Sequence, residues 1–122
     1  MNAEILCVGT ELLMGDTVNT NAAYLSRSLA GLGINVFYHT VIGDNPARLT
    51  DALSRALSRA ELVVTTGGLG PTPDDLTKET ACRAMGVPLS LHEPSLQKIR
   101  DYFALTGREV TPAIAKQAYL PL

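Results

Sequence analysis

Short apolar runs alternate with stretches of helical period along this chain, and most changes of period fall at a glycine or proline. The runs EILCVG (4–9), NVFYHTVIG (35–43), ELVVTT (61–66) and VPLSLH (87–92) read as strands. Between the first two, NAAYLSRSLAGLG (21–33) places Ala22, Leu25, Leu29 and Leu32 on one helical face, with Gly33 as its stop. After DNP, the residues Leu49, Ala52, Leu53, Ala56, Leu57 and Ala60 follow the 3.6-residue period. A helix is predicted from about Asp75 to Met85. Another opens at Glu93-Pro94 with Leu96, Ile99 and Phe103 aligned and ends at Gly107, and Thr111-Pro112 starts one more. Strands alternating with helices at these lengths predict βαβ units, in which helices cover both faces of a parallel sheet. The expected fold class is therefore α/β.

Composition bounds the function. A chain of 122 residues holds about one domain. Its 46% hydrophobic and 18% charged residues suit a globular protein. The formal net charge of −2 and the absence of Trp argue against a nucleic-acid partner. No apolar run approaches the roughly 18 residues of a membrane-spanning helix, and the N-terminus has no basic leader, so a cytoplasmic protein is expected. Cys7 and Cys82 lie far apart and read as buried small hydrophobes.

Ligands of such sheets sit at the carboxyl ends of the strands. Three segments lead away from those ends: GTELLMGDTVNTN (9–21), GDNP (43–46) and TGGLGPTPDD (66–75). In the third, Gly67, Gly68 and Gly70 let successive N–H groups converge on an anion, and the following helix adds its positive end. The competing reading is a tight strand-to-helix turn. Asp74 and Asp75 follow directly; either suits a helix cap. Beside a phosphate, two acids call for a divalent cation such as Mg²⁺, bound by one or two carboxylates and phosphate oxygens. Thr66, Thr72 and Thr77 supply hydroxyls nearby, and Asp44 offers a further carboxylate or a cap for the 46–59 helix.

The strings GTELLMGDTVNTN, VIGDN and TTGGLGPTPDDLTKE, in this order, closely resemble the competence/damage-inducible protein A (CinA) family, over nearly the whole chain. Its N-terminal part is a molybdopterin-binding domain of the type found in MoaB and Mog, proteins of molybdenum-cofactor biosynthesis. The resemblance implies a three-layer α/β/α sandwich and places Asp44 and Asp75 as catalytic residues. It adds Glu11 and Asn21 to the loop residues Thr66, Gly67, Gly68, Gly70 and Thr72 as phosphate- or nucleotide-binding candidates, beside the Asp74 and Asp75 read above as ligands of a divalent metal (Mg, Mn or Co). Glu11 also reads as a solvated loop acid and Asn21 as a helix cap. The implied activity is metal-dependent hydrolysis of the pyrophosphate of an ADP-ribose-like substrate. The alternatives are a molybdopterin- or nucleotide-binding domain of the cofactor-biosynthesis type and a non-catalytic ligand-binding module. The TGGLG form, rather than TGGTG, favours the hydrolase.

This chain departs from the CinA pattern in reading Gly43-Asp44-Asn45 where the family usually has GDD. It also stops at KQAYLPL (116–122), where relatives continue into further strands and a deamidase domain. A domain incomplete at its C-terminus is therefore expected, with an open sheet edge that makes it a homo-oligomer. His39 reads as a core or edge histidine, His92 has no evident partner, and Lys78 and Lys98 read as solvated helix-face lysines. Tyr24, Tyr38, Tyr102, Tyr119, Phe37 and Phe103 are expected to pack, unless one stacks on a base or pterin.

Overall fold

The computed structural model describes residues 1–122. Its centre is β1 (Asn2–Val8), flanked by β2 (Asn35–Ile42) and β3 (Leu62–Thr66) in a parallel sheet of order β2–β1–β3. Period-two alternation divides β1 between two cores. Ala3, Ile5 and Cys7 meet Ala22 and Leu29 of α2 (Thr20–Gly31). Leu6 and Val8 meet Leu49, Leu53 and Ala56 of α3 (Pro46–Arg59). Helices thus cover both faces, as the alternation predicts.

Glu4 interrupts this apolar strand and is fully buried on the α3 side. Burying a carboxylate is costly unless it is paired. Arg59, the last residue of α3, donates from Nε at 2.8 Å and from its terminal nitrogen at 2.7 Å, both to Glu4 Oε1. The Arg59 guanidinium stacks 3.6 Å from the Tyr38 ring centre. The pair ties the start of β1 to the end of α3.

β2 is an edge strand blunted by a bulge: Ala3 faces Val36 and Glu4 faces Tyr38, which leaves Phe37 unmatched and exposed. His39 lies on this edge, 2.6 Å from Ser26 Oγ, as an edge histidine should. On the other side α4 (Thr77–Met85) packs on α3, and an apolar hollow of about 220 Å³ opens beside β3, lined by Leu53, Leu57, Val63, Thr65, Ala81 and Met85.

Several expectations need correction. The 87–92 run does not extend the parallel sheet. Only β4 (Leu89–Leu91) forms, and it pairs antiparallel with β5 (Tyr119–Pro121) in a separate ribbon. Three half-exposed residues after Pro88 are too few to be buried on two faces. The helix placed at Asp75 begins at Thr77. A turn of helix, α1 (Thr10–Leu13), stands where only loop was expected. Leu32 is exposed beyond the end of α2, Tyr24, Phe37 and Tyr102 are largely exposed rather than packed, and Tyr38 and Tyr119 are less than half exposed. Both cysteines are buried as expected, and His92 finds Ser95 Oγ at 2.7 Å. The rest is α5 (Glu93–Thr106) and α6 (Pro112–Ala115), the latter capped by Thr111, followed by a 3₁₀ turn over Lys116–Ala118.

Candidate ligand-binding site

The three strand ends do converge. Gly9, just past β1, donates its N–H to Ile42 O at 2.8 Å. Thr10 Oγ1 accepts from the Asp44 N–H at 3.1 Å and donates to Asp44 Oδ2 at 3.3 Å. Asp44 is not the cap of α3; Asn45 is, its Oδ1 accepting from the Arg48 N–H at 3.0 Å. Asn21 is likewise not a cap. Asn19 Oδ1 accepts from the Ala22 N–H at 3.3 Å, which leaves the Asn21 amide to line the site.

Two hollows flank Val8 at the end of β1. The larger, about 150 Å³, is lined by Glu11, Thr17, Asn19, Asn21, Thr66 and Gly67, among others. The smaller, about 10 Å³, lies between Asp44 and Asp74, with Thr77 at its wall. The structure therefore brings together Glu11, Asn21, Thr66 and Gly67 on one side, and Asp44 with Asp74 on the other.

Between cradle and turn, the turn is what the glycine loop displays at Gly67 and Gly68. Gly67 and Gly68 have φ of +84° and +66°. A Cβ on Gly67 would strike the Val8 carbonyl oxygen, and one on Gly68 would strike Thr77 Oγ1, so these positions also serve close packing. Thr77 is buried, and its hydroxyl is spent on the loop backbone. Its hydroxyl donates to Gly67 O at 2.8 Å, and its N–H to Gly68 O at 3.1 Å. In a planar trans peptide the carbonyl and the next N–H point in opposite directions. Holding those two carbonyls on Thr77 turns the Gly68 and Leu69 N–H groups away from α4. The N–H groups of Gly67, Gly68 and Leu69 donate to nothing in the chain. They are free for an anion.

Residues 70–75 behave differently. The cradle expected there already holds an anion, the carboxylate of Asp75. Its Oδ2 accepts from the Thr72 hydroxyl at 2.6 Å and the Thr72 N–H at 3.1 Å. A Cβ on Gly70 would collide with the same oxygen. The Thr72 hydroxyl, then the Thr72 and Gly70 N–H groups and the Lys116 charge, hold the Asp75 carboxyl below its ordinary range against opposing desolvation. Asp75 thus closes its own turn instead of capping α4, whose N-cap is Leu76 without a side-chain bond.

The Asp74–Asp75 pair foreseen as metal ligands is accordingly divided, since Asp74 and not Asp75 lines the cleft with Asp44. No group of three or more His, Cys, Asp or Glu side chains converges. Two carboxylates suit Mg²⁺ when waters and a ligand's phosphate oxygens complete its shell. Sequence reasoning overlooked Thr10, Thr17, Asn19, Lys116 and Gln117. Only Asn19 carried a local signal, as a cap residue before an apolar helical period.

A parallel α/β sandwich with unpaired backbone donors at its strand ends frames a candidate ligand site, and the relatives of the chain fix its family. A family model described as a probable molybdopterin binding domain matches residues 4–118. A CinA-like protein of Dictyoglomus turgidum is 56% identical over 120 residues, 98% of this chain and 29% of that protein. The CinA protein of Thermoplasma acidophilum superimposes with a TM-score of 0.88 at 38% identity, covering 98% of this chain and 70% of that one. The tungsten-cofactor-synthesizing protein MoaB of Pyrococcus furiosus, at 24% identity and a TM-score of 0.65 over 86% of this chain and 66% of that one, shares the fold. The chain belongs to the molybdopterin-binding domain family, in the branch of CinA-like proteins. It spans under a third of the length of the curated relative above. No helix is long and apolar enough to cross a membrane.

Proposed function

We propose that this domain binds the phosphate of a small pterin or nucleotide at the carboxyl ends of β1 and β3. The observation that carries the reading is the run of three undonated N–H groups at Gly67, Gly68 and Leu69, beside a hollow of about 150 Å³. Thr66, Asn21, Asn19 and Thr17 line that hollow with hydrogen-bonding groups, and Glu11 offers an acceptor for a ring or ribose donor. This favours the binding reading over the hydrolase that the TGGLG form suggests. Titration with a pterin monophosphate and with AMP, followed by amide NMR, tests it. Shifts confined to residues 66–69 and 17–21 are expected; no shift at Gly67–Leu69 with either ligand refutes it.

One observation keeps a hydrolytic reading in play: Asp44 and Asp74 face a common cleft next to the loop. A divalent ion held by these two carboxylates and by ligand oxygens would polarise a bound pyrophosphate. Water attack on ADP-ribose then gives AMP and ribose phosphate, detected after incubation with Mg²⁺, Mn²⁺ or Co²⁺. The open β3 edge and its apolar hollow support self-association as well, which sedimentation over a concentration series tests.

A further inference from the structure

Carbonyl groups of the loop are gripped from a distant part of the chain. Gln117 Nε2 donates to Leu69 O at 3.0 Å, and Lys116 Nζ donates to Thr72 O at 3.2 Å and to Asp75 O. The ammonium also lies 3.5 Å from Glu79 Oε1 on α4, while Glu79 Oε2 is buried without a donor. The segment is itself anchored, because Lys78 Nζ donates to Lys116 O at 2.9 Å and His92 N–H to Ala118 O at 2.9 Å.

We propose that Lys116 and Gln117 form a strap whose role is to position the ligand-binding loop. The argument is again peptide geometry. Fixing Leu69 O on the strap side turns the Gly70 N–H to the opposite side, where it reinforces the Asp75 carboxylate. Fixing the Thr72 and Asp75 carbonyls on one ammonium draws both ends of the Thr72–Asp75 turn together, which keeps Thr72 within reach of Asp75 Oδ2. With residues 69–75 immobilised from the strap and Gly67–Gly68 immobilised from Thr77, the three free N–H groups are held in place before any ligand arrives. Such preorganisation raises affinity without a contact to the ligand. Lys116 is thus a positioning residue: its charge goes to two carbonyls and to Glu79. The ligand arm of this inference rests on the proposed binding site; the conformational arm does not.

The test uses Lys116→Met and Lys116→Arg in the full 122-residue chain. Amide hydrogen exchange reads the ligand-free loop, and NMR titration with inorganic pyrophosphate reads binding. Lys116→Met should speed exchange of the Thr72 amide about tenfold with β1 amides such as Leu6 unchanged, because only a local opening is eased. Lys116→Arg, which keeps the charge and adds donors, should restore most of the protection. Pyrophosphate affinity should fall about tenfold in Lys116→Met and recover in Lys116→Arg. Unchanged Thr72 exchange in Lys116→Met overturns the strap. If that variant opens throughout, Gln117→Ala decides: faster exchange at Gly70 with β1 intact supports the strap, and no change overturns it. Pyrophosphate binding that survives a loosened loop overturns the positioning role. Absence of binding by the unmodified chain counts against the binding site, whereas the exchange result still judges the strap.

Discussion

Replacing Gly67 by alanine tests how firmly the loop is wedged onto the sheet. Gly67 combines a φ of +84° with a Cβ position well inside 3.0 Å of the Val8 carbonyl oxygen. That oxygen cannot easily retreat, because Val8 is paired with Ile42 and Cys7 with Thr66, holding β1 from both sides. Gly107, the left-handed C-cap of α5, has φ +71° and nothing within 4 Å of its Cβ position. It isolates the cost of the dihedral alone. An alanine in left-handed conformation costs about 1 kcal/mol. The collision at Gly67 adds an overpacking cost of roughly 1–3 kcal/mol, because backbone has to move. Gly107→Ala should therefore lose about 1 kcal/mol and Gly67→Ala about 3 kcal/mol, which for a domain of this size is roughly 4 °C against 12 °C in Tm. Urea and thermal unfolding of the two variants measure the difference directly. Equal losses would refute the claim that Gly67 is required by contact with β1 and leave only its dihedral.

Two asparagines that line the same hollow should separate by stability: Asn19→Ala removes a cap bond and costs about 1 kcal/mol in unfolding experiments, whereas Asn21→Ala leaves stability nearly unchanged and weakens phosphate-ligand binding. Arg59→Met strips the buried Glu4 carboxylate of both donors and should destabilise the fold by about 3 kcal/mol, read by urea denaturation. The Asp75 carboxyl titrates below its ordinary 3.8 in the folded chain, so its contribution to loop stability is present above that value and disappears as pH falls through the lowered one. The Thr72 amide should accordingly lose exchange protection on acidification below pH 3.8, and Asp75→Asn should abolish that pH dependence.

The elements with strong period were legible: β1, α2, β2, α3 and β3 fall within a few residues of their predicted limits because each buries a repeating apolar face. The weak run at 87–92 was misassigned because three residues carry too little period to distinguish a sheet strand from an isolated ribbon. The glycine string was correctly tied to a special backbone, yet its N–H groups were assigned to one anion when the chain supplies an anion of its own at Asp75. Local spacing could not show this, since an aspartate before a helix reads first as a cap. Lys116 and Gln117 were invisible for a different reason. Their partners are backbone carbonyls, which leave no mark on composition or period. Glu4 did carry a signal, as a lone acid in an otherwise apolar strand that had to find a cation.

Order of synthesis gives the strap a temporal meaning. Lys116 lies 41 residues downstream of Asp75, and Gln117 lies 48 downstream of Leu69. At roughly 5–20 residues per second, the ribosome takes a few seconds to add that stretch. Strand pairing and helix docking among residues 2–66 take far less time. The parallel sheet can therefore pair while the outer carbonyls of residues 69–75 still have no grip, and that stretch gains its final constraint only when the downstream turn folds back. In a nascent chain the outer part of the loop thus waits on residues made well after the scaffold that carries it.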